Sequence, residues 1–172
     1  TRAIHVGNQR DAQTGAVVPP IHVASTYVQP GAGEWGRFDY SRSGNPTRQQ
    51  LEATLASLEA GCGALAFSSG MAATHCVSML LESGDHILAG ADIYGGTYRL
   101  FHKIIPRAGI QVSLADSTNR DQFAAALTPR TKLVWIESPG NPRMSITDVA
   151  HCAEIAHQHG ALLAVDNTFA TP

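Results

Sequence analysis

Four short stretches of this chain carry side chains whose types and spacing could do chemistry. Ser68-Ser69-Gly70-Met71 leads from a short apolar run into a series of small residues that reads as a helix. The N–H groups at that helix start would lie bare and form a seat for an anion. Val165-Asp166-Asn167-Thr168 follows the apolar run Ala161 to Val165 and puts a carboxylate at the C-terminal end of a strand, where open α/β sheets bind ligands. A phosphate held at the first point and a cationic ring faced at the second describe a phosphorylated heteroaromatic cofactor. Tyr94 stands in a Tyr-Gly-Gly turn, in which glycines let the backbone approach a ligand closely. Tyr40 and Arg42 lie two apart, so in an extended segment phenol and guanidinium share a face and can grip one anion together. Taken singly, each motif has a plainer reading: Ser69 as a helix N-cap, Asp166 as a turn former, Tyr94 as an interior tyrosine, Arg42 as a solvated surface charge.

The elements that must position these residues follow from hydrophobic periodicity. From residue 46 on, short apolar runs alternate with amphipathic windows. The runs 64–67, 86–89, 110–114, 132–136 and 162–165 predict strands, and the windows 70–81, 97–105, 121–127 and 147–157 predict helices. Pro46, with Leu51, Leu55 and Leu58 at helical spacing, predicts a further helix to about Glu59, stopped by Gly61 and Gly63. Strands that are apolar on both faces and alternate with helices describe an α/β fold, a mainly parallel doubly wound sheet covered on two sides. Residues 1–45 are punctuated by Gly and Pro too often for a long helix and read as an extended arm. An arm of that length is expected to pack on a neighbouring subunit, so a homo-oligomer is expected. The domains are thus an arm, 1–45, and a ligand-binding domain, 46–172. Because no helix follows the last strand to cover it, the 172 residues are expected to be the front part of a longer polypeptide.

Composition excludes several classes. A formal charge of −2 and a pI near 6.4, with ten Arg and two Lys scattered and no basic run, give no basis for nucleic-acid binding. No apolar run approaches the roughly 18 residues of a membrane span, and Thr1 to His5 lacks the apolar core of a secretory signal. Cys62, Cys76 and Cys152 are odd in number and have neither disulfide-framework nor zinc spacing, so a reduced cytoplasmic setting is the default. His157 and His159 fit cations at a helix C-terminus better than metal ligands, and no metal is expected. A dinucleotide fold is excluded by the lack of G-x-G-x-x-G after a strand.

Five motifs occur in order: Tyr40-Ser41-Arg42-Ser43-Gly44-Asn45-Pro46-Thr47, Ser69-Gly70-Met71-Ala72-Ala73, Asp92-Ile93-Tyr94-Gly95-Gly96-Thr97, Glu137-Ser138-Pro139-Gly140-Asn141-Pro142 and Val165-Asp166-Asn167-Thr168-Phe169. Together they resemble the Cys/Met-metabolism (transsulfuration) family of pyridoxal-phosphate enzymes, over nearly the whole chain. The resemblance implies the fold-type I (aspartate-aminotransferase-like) large domain and pyridoxal 5'-phosphate as cofactor. It places Ser69, Gly70 and Met71 at the phosphate, with Tyr40 and Arg42 reaching that phosphate from a neighbouring subunit. It implies that Tyr94 stacks on the ring and accepts a proton from the incoming amine, and that Asp166 pairs with the ring nitrogen and keeps it cationic, with Thr168 holding the ring edge or the Asp. Asn141 is implied to contact the ring hydroxyl and the substrate carboxylate, between Pro139 and Pro142, where at least one cis peptide is expected. Glu137 reads as a structural acid.

The implied reaction makes or breaks the C–S bond at Cγ of cystathionine-type amino acids, as the γ-lyase and γ-synthase members do. The alternatives are β-lyase, methionine γ-lyase and O-acylhomoserine sulfhydrylase activity, or, in another class, a catalytically inert truncated domain. The substrate is expected to be a sulfur-containing or O-acylated homoserine-type amino acid, and the assembly a dimeric catalytic unit within a tetramer. Two departures stand out. The family's Schiff-base lysine and substrate-carboxylate arginine match no residue of this sequence. Gly140 stands where Thr or Ser is usual, an exchange expected to loosen the loop that carries Asn141.

Overall fold

A computed structural model describes residues 1–172. Contacts divide them into two units, Thr1–Phe67 and Ser68–Thr171. The division puts the helix after Pro46 with the arm, whereas periodicity had grouped it with the sheet.

In the first unit, α1 (Arg2–His5) lies on α2 (Pro46–Leu58), and the Thr54 hydroxyl donates to Val6 O at 2.7 Å. The start of α2 is set by Asn45, whose side chain accepts from Thr47 N, and by Pro46 at the first helical position, where a missing N–H costs nothing. Between the helices the chain makes only isolated bridges, Thr26 to Tyr40 and Gly31 to Glu34, and is held mainly by side-chain bonds such as Asn45 Nδ2 to His22 O at 3.1 Å. The run 64–67, expected to be a strand, pairs with no other strand: Leu65 is exposed, and Ala66 N donates to the Glu52 carboxylate at 3.0 Å. Four apolar residues without a ladder partner have no backbone bonds to hold them in a sheet.

The second unit is a four-stranded, all-parallel sheet in the order β2-β1-β3-β4, with β1 His86–Gly90, β2 Gln111–Ala115, β3 Thr131–Glu137 and β4 Leu162–Asp166. Ile87, Ala89, Leu133 and Trp135 point to one face, where Phe101 packs edge-on against Trp135. Leu88, Val134 and Ile136 point to the other, beside Phe123, Cys152 and Ala156. Side chains alternate across a strand, so apolar runs on β1 and β3 supply two cores at once. Full burial of Phe101 and Phe123 stabilises the fold by roughly 1.5–3 kcal/mol each. At the N-terminal edge His86 is buried and satisfied, its ring nitrogens bonding Thr131 Oγ1 at 2.8 Å and Ser113 Oγ at 2.9 Å.

The helices are α3 (Gly70–Ser78), α4 (Gly95–Arg99), α5 (Arg120–Ala125) and α6 (Val149–Gln158). α3 stops three residues short of the expected end, in turns that close through Leu80 N to Val77 O and Leu81 N to Ser78 O. α4 starts two residues earlier than expected and widens into a π-helical turn, Leu100–Ile104, before a 3-10 turn containing Pro106. Pro106 has no N–H to continue the helical ladder, which accounts for the change of winding. No helix is long and apolar enough to cross a membrane.

Candidate functional site

The C-terminal ends of β1, β3 and β4 and the N-terminus of α3 surround one cavity of about 340 Å³. Of the residues singled out from sequence, Ser69, Gly70, Met71, Tyr94, Asn141, Asp166 and Thr168 all line it. At one end, Ser69 caps α3 by accepting from Ala72 N at 3.2 Å, so the plainer N-cap reading of Ser69 is correct as far as it goes. The N–H groups of Gly70 and Met71 have no acceptor in the protein and remain available to an anion.

At the other end, parallel pairing of β3 and β4 sets Glu137 directly beside Asp166. Thr168 donates to the Asp166 carboxylate through its hydroxyl at 2.5 Å and its N–H at 3.2 Å. That turn fixes one carboxylate oxygen and leaves the other free to face a ligand. Asn167 ties the same turn to the Ser138 carbonyl at 2.5 Å.

Tyr94 N donates to the Glu137 carboxylate at 2.6 Å, which fixes the start of α4. The Tyr94 ring lies half-exposed over Gly96, where an added Cβ would sit 2.4 Å from the ring and 2.8 Å from the Met71 sulfur. A side chain at 96 would collide with both as they stand. Glu137 is buried, and burial pushes its carboxyl up to about 7; the Tyr94 N–H pulls the other way, and the charges of Asp166 and Asp92 add to the rise. Burial thus favours the protonated form and works against a second full negative charge beside Asp166.

Asn141 sits in the loop after β3, where both the Ser138-Pro139 and Asn141-Pro142 bonds are cis. The effect expected of Gly140 is corrected. A side chain there would bring Cβ to 2.6 Å from Ser145 Oγ and 2.7 Å from an Asp92 oxygen, and the loop is closed by Gly140 N to Ser145 O and Met144 N to Gly140 O, both 2.8 Å. The missing side chain admits Asp92 and Ser145 and tightens the loop.

Tyr40 and Arg42 belong to the other unit. There Arg42 donates to the Tyr40 hydroxyl at 2.6 Å, so phenol and guanidinium lie side by side. The reason differs from the one expected: residues 40–44 form a turn, with Ser43 N and Gly44 N both bonded to Tyr40 O, rather than an extended segment.

Sequence reading missed Thr74, Thr97 and Phe169 in the lining and undervalued Glu137. The Thr97 hydroxyl is buried with no partner in the protein, a polar group built into the wall of a ligand cavity. Its position one turn after Tyr94, on the same helix face, was the available signal. Bare amides, a fixed carboxylate and an aromatic side chain lining one cavity suit a phosphorylated cationic ring.

Comparisons with known proteins agree with that fit. The chain is 49% identical over 174 residues to cystathionine γ-synthase of Mycobacterium tuberculosis and 48% identical over 173 residues to cystathionine β-lyase of Coxiella burnetii, each match covering all of this chain and 45% of the relative. The crystal structure of cystathionine γ-lyase from Lactobacillus plantarum complexed with L-serine superimposes with a TM-score of 0.94 at 44% identity, over 99% of this chain and 45% of that one. The chain thus spans about half the length of the relatives it matches. The family profile described as "Cys/Met metabolism PLP-dependent enzyme" matches residues 1–172, and the chain belongs to that pyridoxal-phosphate-dependent family, with the mainly parallel α/β fold its motifs implied.

Proposed function

We propose that the full-length protein makes or breaks the C–S bond at Cγ of a cystathionine-type amino acid. The observation that carries this reading is the single cavity in which the free Gly70 and Met71 amides and the Asp166 carboxylate face a common space alongside Tyr94 and Asn141. Relatives named γ-synthase and β-lyase are almost equally similar, so the preference for Cγ chemistry rests on the Asp92–Thr97 and Tyr40–Thr47 motifs.

In this reading Gly70 and Met71 N–H hold the phosphate, with the helix dipole of α3 favouring its charge. Tyr40 and Arg42 add to a phosphate seat in a neighbouring subunit, in a cytoplasmic dimer-based tetramer. Bound pyridoxal phosphate supplies an electron sink for negative charge developing at the substrate Cα. Asp166 holds a proton at the ring nitrogen, its orientation fixed by Thr168. Tyr94 covers one ring face, excludes water there, and offers its phenol oxygen to a proton from the incoming amine. Asn141 orients the substrate carboxylate.

Incubating the full-length protein with L-cystathionine and identifying the released thiol tests the reading. Cysteine marks cleavage at Cγ; homocysteine marks cleavage at Cβ and would overturn the preference. A protein that develops no borohydride-reducible absorbance above about 400 nm with pyridoxal phosphate would overturn the reading altogether.

A further inference from the structure

The loops after β1 and β3 each hold a carboxylate that receives hydrogen bonds from the other. Glu137, where the second loop begins, accepts from Tyr94 N in the first. Asp92, in the first, accepts from Ser145 Oγ at 2.5 Å and Arg143 Nε at 3.4 Å in the second. These three bonds cross-brace the residues that present Tyr94 and Asn141. Asp92 lies outside the ligand cavity, its side chain only 9% exposed, so nothing in the cofactor site accounts for it. Arg143 is 73% exposed, and such a pair is worth little in water; the partly buried hydroxyl bond from Ser145 is the stronger half. Burial alone would raise the Asp92 pKa, but Ser145 and Arg143 hold the carboxyl below its usual range, so the group stays ionised as an acceptor. Gly140 abuts both partners, so in this packing an added methyl would have to displace the Ser145 hydroxyl or the Asp92 carboxylate.

The geometry points to Asp92 and Ser145 as positioning residues that hold Asn141 at the substrate carboxylate, with Gly140 as the residue that makes room for them. The inference rests on the proposed reaction only through that role of Asn141.

The test uses the full-length protein and two readouts, steady-state kinetics and amide hydrogen exchange. Asp92→Ala should raise KM for the amino-acid substrate roughly tenfold or more with a smaller change in kcat, while Asp92→Asn, which keeps an oxygen for Ser145, should recover most of the loss. Exchange at residues 140–147 should quicken at least tenfold in Asp92→Ala and stay unchanged in β1. Ser145→Ala, which removes one donor and creates no clash, should move both readouts in the same direction by a smaller factor and serves if Asp92→Ala does not fold. Gly140→Ala, which drives a methyl into Ser145 and Asp92, should match Asp92→Ala. A KM within twofold of the unsubstituted protein in Asp92→Ala or Gly140→Ala, or exchange that quickens across the whole sheet, would overturn the inference. If the unsubstituted protein turns over no cystathionine-type substrate, the proposed reaction fails, and confined exchange at 140–147 still decides whether the brace exists.

Discussion

Only one of the two units of this chain has a core of buried apolar residues. In the sheet unit Ile87, Leu88, Phe101, Phe123, Val134 and Ile136 are fully buried. In the N-terminal unit Val23, Val28 and Trp35 are 90%, 97% and 78% exposed. A run of exposed large apolar residues is unusual unless something covers it. The sheet unit carries its own core; the arm carries exposed apolar residues, which supports the proposal that it docks on a second copy.

Perturbations of the two units should therefore be read by different measurements. The largest effect is expected from Asp166→Ala: turnover by the full-length protein should fall at least about a thousandfold while the far-ultraviolet circular dichroism spectrum is unchanged, and near-normal activity would count against its pairing with a ring nitrogen. Next, Phe101→Ala in the sheet unit should cost about 3–5 kcal/mol in urea unfolding, because it empties a fully buried site against Trp135.

Glu137 gives a pH-dependent contrast. Its carboxyl binds a proton in the folded protein between about 4.5 and 7, where the unfolded chain has lost it, so stability should fall as pH rises through that window. The fall should be on the order of 3 kcal/mol and should flatten in Glu137→Gln. A wild-type profile that rises over the same range would show that the group is not buried as described.

In the arm, Trp35→Asp should leave sheet-unit unfolding unchanged but shift the sedimentation coefficient toward smaller species; a variant that keeps the parental assembly would break the comparison. The smallest effect belongs to Val28→Ala, expected within about 0.5 kcal/mol for unfolding of the single chain, since its side chain is 97% exposed there and packs on nothing within its own chain.

Most of the site was legible before folding because its parts are local. Ser69 capping a helix, Thr168 closing on Asp166 and Tyr94 leading into glycines are each complete within a few residues. Glu137 was not: its burial and its bond to Tyr94 join residues 43 apart, through a strand order that no local pattern encodes. Gly140 was misread for the same reason, because the atoms that fill its vacant side-chain space come partly from Asp92, on another loop.

What the sequence by itself determined is the class of fold, the strands β1 to β4, the helix caps and the chemical types gathered at the site, all set by periodicity and short-range hydrogen bonding. Only the tertiary structure decided that 64–67 pairs with no strand, that Tyr40 and Arg42 meet through a turn, and that the loops bearing Tyr94 and Asn141 lock onto each other's carboxylates. Those outcomes depend on which distant groups compete for a given N–H or volume, and that competition exists only once the chain has packed.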